Sequence, residues 1–257
     1  MASTYNWTVR PASREERRKL AQKIAERARV FRQDVLAVGI YGSVARDEDG
    51  PYSDLEILCV LSSPGEDFTK EWIAQPCKAE VNFVSEDVLF ARAREVDPAW
   101  PLTHGAYVHI RPLYDPEGLF PRLKETVLRA PHAAFQQALR SLIVEDLYEV
   151  VGKIRNAWHF HACEELPFLA VHLAFYGALL VGLANRHLYR SASKMLADSL
   201  GLPERPAGYD ALCQRVLAGK LAPADAVVQD CEEFWASVEE WCRRRGIPLG
   251  ETRLIPF

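Results

Sequence analysis

A chain of 257 residues that is 49% apolar and 26% charged, with 14 Gly and 16 Pro, has globular composition, which excludes a collagen-like or disordered polymer. Its 31 basic against 35 acidic residues leave a formal net charge of −4, so it lacks the basic excess of a protein that grips long nucleic acid through its phosphates. The charge is uneven: residues 10–32 carry nine basic and three acidic side chains, whereas 47–97 carry thirteen acidic and four basic, a field that attracts polycations and metal ions.

In chain order, the first eleven residues hold no apolar core of the kind a secretory signal needs. Ser13-Arg-Glu-Glu16 is a capping box, and the basic amphipathic helix it opens is expected to run to about Arg32. Residues 35–41 then read as a strand ending at Gly42-Ser43, and 54–61 as a second strand after the Gly50-Pro51 turn. Strands are also expected over 79–84 and 106–113, with a helix of about ten residues capped at Ser85 between them. After Pro131 the period becomes 3.6: a helix over 132–156 carries Leu139, Ile143, Leu147, Val150 and Ile154 as its apolar stripe, and further helices follow at 166–184, 209–217 and 224–245. The 166–184 helix approaches membrane-spanning length, but Pro167 and His172 interrupt it, and a buried helix is expected. Together with the apolar Leu254-Ile-Pro-Phe257 it offers more apolar surface than a small bundle covers, which favours a C2 dimer. The expected fold class is α+β: a mixed sheet of four or five strands with helices over 1–130, then a helical bundle over 131–257.

Side chains two apart on a strand share a face, so Asp54 and Glu56 stand side by side while Leu55 and Ile57 turn to the core. Two like charges at that spacing call for a cation, and hard oxygen ligands suit Mg²⁺, which keeps water and phosphate oxygens in its shell; any half-exposed strand can show the same alternation. Ten residues before Ser53 lies Gly42-Ser43, whose backbone N–H groups and hydroxyl can meet an anion with Arg46 in reach. This is neither a Walker A loop nor G-x-G-x-x-G. Glu145, Glu149 and Lys153 form an i, i+4, i+8 row, which by itself is also an ordinary helix-stabilising arrangement. His159-Phe-His-Ala-Cys163 lacks the spacing of a zinc site and reads as a surface connection. The six cysteines include no C-x-x-C pair, which suits a reducing cytoplasm.

Gly42-Ser43 followed by Asp54-x-Glu56 resembles the nucleotidyltransferase superfamily related to DNA polymerase β. The stretch 41–60, with Ala79-Glu-Val-Asn-Phe83, Trp100-Pro-Leu-Thr-His-Gly105, Leu142-Ile-Val-Glu-Asp-Leu-Tyr-Glu149 and Ile255-Pro-Phe257, is similar to the kanamycin nucleotidyltransferase family of aminoglycoside 4′-O-nucleotidyltransferases. The resemblance implies transfer of AMP from ATP to an aminoglycoside hydroxyl with Mg²⁺, in a bacterial cytoplasm, by a homodimer with shared active sites that engages neither nucleic acid nor membrane. It implies Asp54 and Glu56 as metal ligands, Gly42, Ser43, Arg46 and Lys153 on the phosphates, and Glu149 as the base. It also implies Glu71, Glu80, Glu145 and Asp146 on the acceptor's ammonium groups. Val84 departs from an acidic family position, and His104 matches the family while reading as a packing histidine. Two other readings keep the fold: transfer to a protein side chain or an RNA end, and a non-catalytic nucleotide-binding dimerisation module.

Overall fold

A computed structural model of the chain describes residues 10–73 and 76–250. The expectations placed on the first nine residues and on Leu254–Phe257 lie outside the described residues. The chain forms two compact units, one of residues 1–95 and 104–130, the other of 96–103 and 131–257.

In the first unit, α1 (Arg14–Phe31) opens with the expected capping box: Glu16 N–H donates to Ser13 Oγ at 3.2 Å and Ser13 N–H to Glu16 Oε2 at 2.8 Å. It is followed by β1 (Val35–Tyr41), a single helical turn α2 (Gly42–Ala45), β2 (Leu55–Leu61), β3 (Asp67–Ile73) and β4 (Lys78–Ser85). Then come α3 (Glu86–Arg94), α4 (Trp100–Thr103, part of the second unit), α5 (Gly105–Val108), β5 (Arg111–Tyr114) and α6 (Leu119–Leu128). The sheet order is β3-β4-β2-β1-β5, with β2 and β4 parallel and the other pairs antiparallel. Ala21, Ile24, Ala25 and Ala28 of α1 pack on the face made by Val38, Ile40, Ile57, Cys59, Val81 and Phe83. The opposite face carries Gly39 and Tyr41 of β1, Glu56 and Leu58 of β2 and Glu80 and Asn82 of β4. There α6 closes on β1 so tightly that a Cβ at Gly39 would lie 2.4 Å from Ile110 and 2.9 Å from Phe120.

Two expectations change here. The strand expected over 106–113 begins only at Arg111, because 105–108 close a helical turn in which His109 N–H bonds the Gly105 carbonyl and is lost to the sheet. Strand β3 was not expected: at the sheet edge it buries too little to show alternation, all but one of its residues being exposed.

The second unit is helical: α7 (His132–Ser141), a π-helical turn (Leu142–Leu147), α8 (Tyr148–His159), α9 (Leu166–Asn185), α10 (Ala192–Ser199), α11 (Tyr209–Leu217) and α12 (Ala224–Arg245). The helix expected over 132–156 is thus interrupted by the π turn, which keeps the stripe inside: Leu139, Ile143, Leu147 and Ile154 are all buried. α9 is long and apolar enough to cross a membrane, yet it is the central helix of this unit, 67% buried along its most apolar stretch. Gly177 meets Tyr209 and Phe234, and Gly182 meets Pro101 and Tyr189, all closer than 3 Å to where a Cβ would stand. The unit's own helices therefore cover α9, contrary to the expected surplus of apolar surface there.

Candidate active site

Register places four side chains in one row across the sheet: Tyr41 opposite Glu56, Glu56 opposite Glu80, and Glu80 opposite Glu71. Asp54, two residues before Glu56, adds a carboxylate on the same side. Ionic partners sort this acidic region. Asp47 pairs with Arg18 and Arg111, Asp49 with Arg14 and Arg17, Asp67 with Arg92, and Glu86 with Arg122. The broad acidic field expected from 47–97 is thus largely neutralised, much of it by α1. Asp54, Glu56 and Glu80 have no salt-bridge partner among the described residues, and on this face of the sheet they gather unbalanced negative charge in one place.

Burial, then the neighbouring Asp54 and Glu80 carboxylates, push the Glu56 carboxyl up to about 7, against the smaller opposing pull of Arg46 and Lys78. A half-buried carboxylate crowded by two others gains most from a divalent cation. No group of three or more His, Cys, Asp or Glu is gathered into a cage among the described residues. The Asp54–Glu56 pair instead suits a cation that completes its shell with water and phosphate oxygens.

The turn beside the pair is built around Gly42, which has φ +71°. A Cβ there would lie 1.8 Å from Glu56 Oε2, so glycine is required both by the backbone and by the approach of the carboxylate. Ser43 follows, its carbonyl accepting the N–H groups of Arg46 and Glu48, and the Arg46 guanidinium pairs with Glu48 at 3.1 Å.

Glu80 is held by residues that sequence reasoning did not single out. Tyr41 Oη donates to Glu80 Oε1 at 3.0 Å and Asn82 Nδ2 donates to the same oxygen at 2.7 Å. Thr69 Oγ1 donates to Asn82 Oδ1. Burial, then the charges of Glu56 and Glu80, drive the Tyr41 phenol well above its ordinary range, so it remains a donor at neutral pH. Asn82 was legible as a partner, being two residues past Glu80 on one strand; Tyr41 required the β1–β2 register. Glu71 stands on the exposed edge strand with its carboxylate taken up by Lys78.

Of the remaining candidates, His104 lies in the first unit and the others in the second. Lys153 Nζ is 2.6 Å from Glu149 Oε1 on the exposed side of α8. Glu145 lies in the π turn, and Glu149 and Lys153 in α8 form the one ion pair of the expected row among the described residues. Asp146 is hydrogen-bonded by Tyr176 of α9, and burial, then Glu145, raises its carboxyl above the usual range. His104 is buried with Nε2 3.0 Å from the Arg92 carbonyl, a structural placement. Residues 159–163 form the connection from α8 to α9, where His161 adopts φ 59°.

Among solved structures the fold is similar to that of a nucleotidyltransferase-like protein from Exiguobacterium sibiricum, with a TM-score of 0.54 at 12% identity over 89% of this chain and 75% of that one. The chain thus shares the fold of a nucleotidyltransferase-like protein. Residues 117–248 match the model of the KNTase C-terminal domain. Two proteins named aminoglycoside nucleotidyltransferase (4′), from Staphylococcus aureus and from a Bacillus species, are each 39% identical over 246 residues, 95% of this chain and 97% of theirs. The chain belongs to the aminoglycoside 4′-nucleotidyltransferase family, a family of enzymes.

Proposed function

We propose that this enzyme transfers AMP from ATP to the 4′-hydroxyl of an aminoglycoside such as kanamycin, releasing pyrophosphate and conferring resistance. The observation that carries the reading is the Asp54–Glu56 pair, crowded by Glu80 and devoid of a salt-bridge partner among the described residues, in a chain of this family. When bound there, Mg²⁺ neutralises phosphate charge and orients the reacting oxygens. Asp54 and Glu56 hold it, and Gly42, Ser43 and Arg46 receive the outer phosphates beside them. The acceptor hydroxyl attacks the α-phosphorus, the bond to the β-phosphate oxygen breaks, and the hydroxyl proton passes to the Glu149 carboxylate. Lys153, 2.6 Å from Glu149, supplies positive charge to the phosphates and to that carboxylate. Glu80, Glu145 and Asp146 meet ammonium groups of the acceptor; Glu71, shared with Lys78, belongs to the same set only when an ammonium displaces that lysine. The working form is a homodimer with shared active sites, in the bacterial cytoplasm, where six free thiols are at home.

Incubation with labelled ATP, Mg²⁺ and kanamycin tests this. Label on the aminoglycoside, abolished when a 4′-deoxy acceptor is offered, is the expected result. Hydrolysis of ATP without acceptor labelling, or label on protein or RNA instead, would contradict it.

A further inference from the structure

We infer that Tyr41, Asn82 and Thr69 form a latch that fixes Glu80 as an acceptor-binding carboxylate and keeps it apart from the metal pair; the inference rests on the activity proposed above. Glu80 stands directly across from Glu56 in the parallel β2–β4 register, a position from which a free carboxylate would turn toward any cation held by Asp54 and Glu56. Tyr41 and Asn82 oppose this by donating to one oxygen, Oε1, at 3.0 and 2.7 Å. Oε2 is left without a hydrogen-bond partner among the described residues, and it is the atom available to an ammonium group.

The direction of the latch is set from the sheet edge. Thr69 is paired with Asn82 in the β3–β4 register and its hydroxyl donates to Asn82 Oδ1, which anchors the amide in the orientation the acceptor-only Glu80 carboxylate requires, with Nδ2 toward it. Asn82 Nδ2 also reaches Tyr41 Oη, at 2.5 Å, so the phenol accepts from Asn82 and passes its own proton toward Glu80. Tyr41 and Asn82 are in addition two walls of a cavity of about 200 Å³ whose other lining mixes Leu58, Val84 and Leu89 with Asp67, Arg92 and Tyr107. Tyr41, Asn82 and Thr69 are positioning residues: they act through Glu80 on acceptor binding.

Steady-state kinetics on Tyr41→Phe, Thr69→Val, Glu80→Gln and the Tyr41→Phe/Glu80→Gln double variant, with kanamycin and ATP, test the latch. Tyr41→Phe is expected to raise the aminoglycoside KM on the order of ten-fold, the loss of one of two charge-assisted bonds, while kcat and the ATP KM change less than about two-fold. Thr69→Val, at an exposed edge position, is expected to raise the same KM to a smaller extent. In the Glu80→Gln background Tyr41→Phe should add nothing, because its action passes through that carboxylate. Transfer by the unaltered protein with an effect of Tyr41→Phe that persists undiminished in the Glu80→Gln background, or a fall in kcat at constant aminoglycoside KM, would overturn the latch and leave the activity standing. Absence of transfer by the unaltered protein would overturn both.

Discussion

At the scale of single residues, Glu56 concentrates the chemistry. Its carboxyl is pushed up to about 7, whereas an unfolded glutamate titrates near its ordinary 4.5. Between those values the unfolded chain has released a proton that the metal-free native state retains. The contribution to stability is therefore full below about pH 4.5 and lost as the pH rises toward 7, by about 1–3 kcal/mol. Denaturant unfolding of the metal-free protein at pH 5 and pH 7.5 should show this loss in the parent and not in Glu56→Gln, and added Mg²⁺ should restore more stability at pH 7.5 than at pH 5. Equal pH dependence in parent and variant would contradict the assignment. In kinetics, Asp54→Asn and Glu56→Gln should each retain the fold by circular dichroism and lose turnover by several orders of magnitude. Gly42→Ala should be nearly as damaging, since the new Cβ would occupy the position of Glu56 Oε2. The shared face of Asp54 and Glu56 was legible because strand alternation needs only local sequence, whereas Glu80 entered as a candidate through the family resemblance. The contribution of Tyr41 was not legible, because residues 41, 56 and 80 become neighbours only through cross-strand register.

At the scale of elements, α1 does more than cover the sheet. Arg17, 1% exposed, donates to both the Asp49 carboxylate and the carbonyls of Ala12, Gly50 and Pro51, clasping the helix to the loop that leads into Asp54. Burial works to raise the Asp49 carboxyl, but the hydrogen bonds from Arg17 and Arg14 outweigh it and hold it below its usual range. Arg17→Ala would leave the Asp49 charge buried with a diminished partner set, and a loss of about 3–5 kcal/mol in denaturant unfolding is expected. A loss below about 1 kcal/mol would show the clasp to be incidental. The basic run and the acidic run, which looked like separate features of the sequence, are two halves of this contact. Elements with strong local signals, α1, β1, β2 and β4, were legible within a residue or two. β3 and the π turn were not: an exposed edge strand carries no burial period, and one extra residue in a helical turn leaves the apolar stripe almost unchanged.

At the scale of the whole molecule, the proposed homodimer raises the question of which subunit's Glu149 would serve which Asp54–Glu56 pair. Most of α9 is covered by its own unit, and the exposed aromatics Trp158 and Phe160 at the end of α8 and Phe168 at the start of α9 are the apolar surface on which the proposed dimer would dock. They lie on the helices that carry Glu149, Lys153 and Tyr176, with Phe168, His172 and Tyr176 in successive ring contact. A C2 dimer docking there would close over the proposed base, and Phe168→Asp should then weaken association in sedimentation equilibrium. The functional consequence is measured by mixing chains. Asp54→Asn lacks the proposed metal ligand but keeps Glu149; Glu149→Gln lacks the proposed base but keeps Asp54 and Glu56. If the sites are shared, each heterodimer holds one site with both intact groups, and a random mixture should regain about a quarter of the parent activity from two inactive parents. If each chain served itself, every site in the mixture would lack one group, and verified heterodimers would be as inactive as either parent. That outcome would return Glu149 to its own subunit without touching the roles of Asp54 and Glu56.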